Sequence, residues 1–177
     1  MNTSTFCHHR MMHDVTRLVS IALIGAAGVT ATPLAHAQAA VPGKPPLFQK
    51  YIGSPDTDGL LREPAVRAEL QRLVGAQLPK LLKNLDVKGD VELVSGSLVV
   101  SGNASHGGGE EEGIVCVFAH SGGVEAGIAS KGRITVFTKA GNYEEASICI
   151  KDWITQMNSG HRDRFQQPKN VQLARTK

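Results

Sequence analysis

Residues 91–138 read VELVSGSLVVSGNASHGGGEEEGIVCVFAHSGGVEAGIASKGRITVFT. Apolar residues recur here with a period of two, which is typical of β-strands. Ser95-Gly96 and Lys131-Gly132 are signals for tight hairpin turns. Strands that are this close in sequence can pair only in an antiparallel arrangement. The stretch therefore predicts an antiparallel meander of about five strands.

Helical patterns flank the strands on both sides. Leucine and valine residues between positions 63 and 85 step by three and four and form one apolar stripe. Gly75 and Pro79 interrupt that stripe, so we predict a kink or two shorter helices. A C-terminal helix is predicted within residues 143–157. The sequence therefore predicts an α+β fold in which an N-terminal and a C-terminal helix cover one face of the sheet.

The composition divides the chain into four parts. Residues 1–37 combine positive charges, a short apolar run and an Ala-His-Ala site, which is the pattern of a secretory signal peptide. Residues 38–62 are rich in proline and turn formers and predict an extended lead-in. Residues 63–157 form a single α+β domain, and residues 158–177 form a basic flexible tail. An electrostatic arm for an anionic surface is the alternative for the tail.

A signal peptide predicts a periplasmic or secreted protein without a membrane anchor, because the apolar run is too short to span a bilayer. The whole chain has a formal charge of +3, and losing Arg10, Arg17 and Asp14 with the signal leaves +2. A nearly neutral chain with few aromatic residues argues against nucleic-acid binding.

Two cysteines, Cys116 and Cys149, remain after the predicted cleavage. In an oxidising compartment such a pair is more often a disulfide than two thiols. A bridge that closes a loop of about 33 residues would stabilise the fold by roughly 3 to 4 kcal/mol. Two buried thiols are the alternative.

A polar loop follows the first predicted hairpin and precedes the apolar run from Ile114 to Phe118. A metal site made by His106 with Glu110 or Glu111 lacks further ligands. Acid and base catalysis lacks a nucleophile and a rigid support, and the glutamates would repel a phosphate. We therefore expect no metal ion, no cofactor and no enzymatic activity.

The remaining interpretation is a recognition loop for a protein partner. The candidate contact residues are Ser105, His106, Gly107, Gly108 and Glu110. Glycine lets a partner approach the backbone, and a histidine gains charge beside carboxylates. A glycosidase cleft with two carboxylates is one such target. It would repel the acidic run unless those side chains face away or meet a basic rim.

The pattern resembles the Ivy family, the periplasmic inhibitors of vertebrate-type lysozyme. The resemblance covers roughly residues 81–138, with a leading helix, a strand pair, the loop Gly102–Gly107, the strand Ile114–Phe118 and a hairpin. In that family the loop is usually pinned by a cysteine on each side of a Pro-His-Asp core. Here the flanking cysteines, the proline and the aspartate are absent, so only His106 can be carried over. The resemblance implies that the loop plugs a lysozyme cleft, with His106 bonded to the catalytic carboxylates.

Two other functions stay open. The chain could be an immunity protein or another periplasmic protein-binding domain, or a small enzyme that acts on the cell wall. Lysis assays with the wild type and with His106→Ala distinguish an inhibitor from these alternatives.

Overall fold

The structure is a computed structural model that describes residues 46–160 and 162–175. The predicted signal peptide lies outside the described residues, as does the first part of the predicted lead-in. The α-helices of the described part are α1 (Thr57–Arg62), α2 (Pro64–Val74), α3 (Leu78–Lys83) and α4 (Ile148–Met157). Its strands are β1 (Val87–Lys88), β2 (Glu92–Val94), β3 (Ser97–Asn103), β4 (Glu111–Phe118), β5 (Val124–Ser130), β6 (Arg133–Thr138) and β7 (Val171–Arg175).

The strands form one mostly antiparallel sheet in the order β1-β3-β4-β5-β6-β7, and β2 also pairs with β3. Two-residue turns join β2 to β3 and β5 to β6. Ser95 and Gly96 have φ angles of 48° and 80°, and Lys131 and Gly132 have 50° and 73°. Positive φ at both positions matches the twist of the flanking strands. The predicted α+β class is confirmed, with seven strands in the described residues in place of about five.

Strand β7 is the main addition to the predicted sheet. The sequence predicts a flexible tail after residue 157, whereas β7 pairs with β6 in parallel, with Ile134 opposite Val171. Parallel neighbours require a long connection, which α4 and its flanking loops supply. Val171 and Leu173 alternate with polar Gln172, so the tail contains a short strand pattern that its many basic residues obscure.

The predicted lead-in also contains regular structure. Asp56 caps α1, because its carboxylate accepts a hydrogen bond from the Gly59 backbone N–H at 2.9 Å. The turn-forming residues of this segment therefore begin a helix in place of an extended chain. Tyr51 is buried, and its hydroxyl donates a hydrogen bond to Glu63 at 2.7 Å.

The predicted interruption of the first long helix is present. Helix α2 ends at Val74, a 3-10 segment spans Gly75–Gln77, and α3 begins at Leu78. Gly75 has a φ of 57°, which glycine adopts without strain. Pro79 lies in the first turn of α3, where its missing N–H removes no helical hydrogen bond.

Helices α2 and α3 lie on one face of the sheet and α4 lies on the other. The prediction that both helical segments cover the same face is therefore wrong. Val115 and Val117 of β4 pack in the cluster that contains α2 and α3. Ile114 and Cys116 pack in the cluster that contains α4. An uninterrupted apolar run such as Ile114–Phe118 is typical of a strand buried on both faces, since successive side chains point in opposite directions.

Helix α4 is fixed to the sheet by a covalent bond and by close packing. Cys149 forms the predicted disulfide with Cys116 of β4, with 6.3 Å between the Cα atoms. The Trp153 ring lies directly on Gly127, where an added Cβ atom would lie 2.5 Å from the ring. The buried Glu125 carboxylate accepts a hydrogen bond from the backbone N–H of Ser147 at 2.9 Å, just before α4.

None of the helices within residues 46–160 and 162–175 is long and apolar enough to cross a membrane.

The disulfide gives a direct test of the packing between α4 and the sheet. Cys116→Ala combined with Cys149→Ala should lower the free energy of unfolding by about 3 to 4 kcal/mol, because the bridge closes 33 residues. Denaturant unfolding measures the loss, and wild type treated with reductant should lose a similar amount. An unchanged unfolding midpoint in the presence of reductant would contradict the bridge.

Acid should weaken the link between α2 and Lys139, which directly follows β6. Hydrogen bonds from Arg72 and then from Lys139 lower the pKa of Glu69 from 4.5 to about 2. The ionised carboxylate therefore stabilises the fold above about pH 4.5, and this contribution is lost as the pH falls through about 2. The difference in unfolding midpoint between wild type and Glu69→Gln should shrink over that range. A difference that stays constant down to pH 2 would contradict this assignment.

Candidate functional site

The candidate site is the loop between β3 and β4, residues 104–110, which we call the His106 loop. Its two ends are continuous with the sheet, since Ala104 donates a backbone hydrogen bond to the Glu111 carbonyl at 2.9 Å. It also lies beside the turn between β5 and β6, because the Lys131 N–H donates to the Glu110 carbonyl at 3.2 Å. The loop is therefore carried by the central strands of the sheet.

Two successive turns shape the loop. The Gly107 N–H donates to the Ala104 carbonyl at 2.8 Å, and the Glu110 N–H donates to the Gly107 carbonyl at 3.1 Å. His106 and Gly109 occupy the third position of these turns, with φ angles of 61° and 83°. A positive φ at the third position is typical of a type II turn, where glycine is the usual residue. Histidine is among the few other residues that enter this region readily.

Four of the five candidate contact residues lie on the outer surface. Ser105, His106, Gly108 and Glu110 are exposed, whereas Gly107 is partly covered. A Cβ atom at position 107 would lie 3.0 Å from Cβ of Glu111 and 3.1 Å from Cβ of Ala104. Gly107 therefore supports the base of the loop, and the other four residues face solvent.

The three consecutive glutamates have three different environments. Glu111 forms an ion pair with Lys80 of α3 and accepts a hydrogen bond from the Ser130 hydroxyl at 2.7 Å. The Lys80 ammonium and then the Ser130 hydroxyl hold the pKa of the Glu111 carboxyl below its usual value. Glu112 accepts a hydrogen bond from the Gly109 N–H at 3.0 Å. Glu110 is exposed, so it is the carboxylate of the run that is most open to a partner.

Asn84 fixes the end of α3 beneath this loop. The side chain is fully buried, and its Nδ2 donates to the Glu112 carbonyl at 2.9 Å and to the Ala129 carbonyl at 3.1 Å. Sequence reasoning missed Asn84, Lys80 and Ser130. The one signal for Asn84 in the sequence was its place on the apolar stripe, next to Leu85, where a polar side chain is unexpected.

The loop combines an exposed side chain with an accessible backbone. Within the part of the chain that the structure describes, no group of three or more histidine, cysteine, aspartate or glutamate side chains could hold a metal ion. The loop instead presents an exposed imidazole next to glycines whose backbone a partner can approach closely. The predicted contact residues thus lie in one short segment, in which Gly107 alone of the five is partly covered.

Comparison with known proteins identifies the family of the chain. The family model described as "Inhibitor of vertebrate lysozyme (Ivy)" matches residues 65–160, which is more than half of the 177 residues. The matched segment includes α3, β3, β4 and the His106 loop. No curated protein and no solved structure matched the chain.

The turn geometry predicts different effects for two adjacent glycines. Gly109→Ala should lower the free energy of unfolding by up to about 1 kcal/mol, because Gly109 has a φ of 83°. Gly108→Ala is the matched control, since its φ is not in the left-handed region and an added Cβ would lie 3.8 Å from Asn103. Urea unfolding and loop amide exchange measure both variants, and equal effects would contradict the described turns.

Proposed function

Since the chain belongs to the Ivy family of inhibitors of vertebrate lysozyme, we propose that it inhibits a lysozyme by inserting the His106 loop into the catalytic cleft. The family is one of inhibitors, which implies that the chain acts by binding a protein and not by converting a substrate. The proposed mechanism concerns how the loop residues meet the enzyme.

The exposed imidazole of His106 is the observation that carries the proposal. It stands on a loop that projects from the ends of β3 and β4, within the segment that the family model matches. A glycosidase cleft holds two carboxylates close together. Hydrogen bonds between an imidazole N–H and a carboxylate are strengthened by charge. We therefore propose that His106 donates to one or both catalytic carboxylates and blocks access of the polysaccharide.

The conformation of the loop supports binding without large rearrangement. Its turns are closed by backbone hydrogen bonds of 2.8 and 3.1 Å in the free protein. A segment that is ordered before binding loses less conformational entropy in the complex. Gly108 and Gly109 carry no side chains, so the walls of a narrow cleft could approach the loop backbone.

The acidic run is compatible with an acidic target because its charges are unevenly exposed. Lys80 compensates the Glu111 carboxylate, and Glu112 is turned back toward the Gly109 N–H. Glu110 alone of the three belongs to the loop itself. We propose that Glu110 meets a basic rim of the cleft while His106 reaches the floor.

We also propose that the protein works in the periplasm or outside the cell. The signal peptide predicted over residues 1–37 supports this location. The disulfide between Cys116 and Cys149 supports it independently, because such bonds persist in oxidising compartments.

A substitution at His106 can remove the imidazole while the backbone conformation of the loop is kept. His106→Asn keeps a residue that tolerates a positive φ, so the loop conformation should be retained. We expect inhibition of a vertebrate-type lysozyme to weaken about tenfold or more, since the shorter amide cannot become charged and does not replace the hydrogen bonds of the imidazole to the carboxylates. The inhibition constant in a cell-lysis assay measures the effect.

His120→Asn is the control, because His120 is exposed in the turn between β4 and β5, at the opposite end of β4. Equal inhibition by the wild type and His106→Asn would reject the loop as the inhibitory element. No inhibition by the wild type at any concentration would reject lysozyme as the target and favour another protein partner.

A further inference from the structure

We infer that Lys80 is a positioning residue for the His106 loop, because its ion pair with Glu111 ties the root of the loop to helix α3. Lys80 need not touch the partner, since its effect would act through Glu111. The consequence for inhibition rests on the proposed function, whereas the consequence for loop order does not.

Glu111 is the residue through which the loop is attached. Its backbone N–H donates to the Gly107 carbonyl at 2.8 Å, and its carbonyl accepts from the Ala104 N–H at 2.9 Å. These two bonds fix both sides of the first turn of the loop. Whatever restrains Glu111 therefore also restrains the backbone around His106.

The side chain of Glu111 is held by two other elements. One carboxylate oxygen pairs with Lys80 of α3, and the other accepts from the Ser130 hydroxyl at the end of β5. The helix, β4 and β5 thus meet at the point where the loop returns to the sheet. No cysteine lies within the loop, so no disulfide within it can restrain its backbone. The polar contacts of Glu111 can take that role.

Helix α3 is a rigid support for Lys80. Asn84 lies one helical turn after Lys80 and is bonded to carbonyl groups of both β4 and β5. Leu81 and Leu85, on the same segment, are buried against the sheet. Lys80 is consequently presented to Glu111 from a backbone that is itself anchored.

The expected size of the effect suits a local role. The Lys80 side chain is 37% exposed and that of Glu111 21% exposed. Exposed and partly exposed ion pairs typically change an equilibrium by about two- to fivefold. A change of about two- to fivefold is small relative to the free energy of unfolding of the domain. The free energy of opening a loop is much lower, so the same change alters loop opening measurably. Apparent affinity then falls by the factor by which the binding-competent loop is depleted.

The test compares two lysines of the same helix in the disulfide-bonded chain. Lys80→Met removes the ammonium, and Lys83→Met is the matched control because Lys83 is exposed on α3. Hydrogen exchange of the Gly107, Glu110 and Glu111 amides should be about two- to fivefold faster in Lys80→Met than in the wild type. The control should match the wild type, and Lys80→Arg should restore slow exchange.

Further measurements separate positioning from general destabilisation. Exchange in β6 and the midpoint of unfolding should change little in Lys80→Met. The inhibition constant for lysozyme should rise by no more than about fivefold, because the loss of affinity cannot exceed the change in the opening equilibrium of the loop. Combining Lys80→Met with Glu111→Gln should add little to the effect of Glu111→Gln, because both changes remove the same ion pair.

The outcomes distinguish this inference from the proposed function. Equal loop exchange in Lys80→Met and Lys83→Met would overturn the inference, whether or not the wild type inhibits lysozyme. Faster loop exchange in Lys80→Met but not in Lys83→Met would support the inference. It would do so even if no variant inhibits lysozyme, a result that would reject only the proposed target.

Discussion

Burial of strand β4 on both faces is the constraint on which the rest of the structure depends. Val115 and Val117 pack toward α2 and α3, whereas Ile114 and Cys116 pack toward α4. A shift of one residue would exchange the two sets of side chains and break the disulfide geometry, so the register is strongly specified. The His106 loop ends where this strand begins. A partner that bound this loop would meet a short polar segment attached to a strand that is buried on both faces.

The same alternation explains how three identical glutamates take different roles. Successive residues of a strand point to opposite faces. Glu111 consequently reaches α3 and the Lys80 ammonium, whereas Glu112 points the other way and bonds to the Gly109 N–H. Glu110 precedes the strand and stays exposed. A partner would therefore meet less negative charge than three adjacent glutamates suggest, because Lys80 compensates Glu111.

Features with local signals could be predicted from the sequence. The hairpin turns at Ser95 and Lys131, the interruption at Gly75 and the bridge between the cysteines depend on neighbouring residues or on compartment chemistry. The face covered by α4 and the parallel strand β7 could not be found in this way, since both depend on distant packing. At the candidate site, His106 and its glycines were visible in the sequence. The contact of Lys80 with Glu111 was not, because 31 positions separate them.

The left-handed backbone at His106 limits which amino acids can occupy the tip of the loop. With a φ of 61°, β-branched and bulky side chains would be strained there. Glycine, asparagine and aspartate also fit the backbone, but their side chains cannot carry a positive charge. The main-chain conformation thus restricts which residues fit a position whose side chain is exposed.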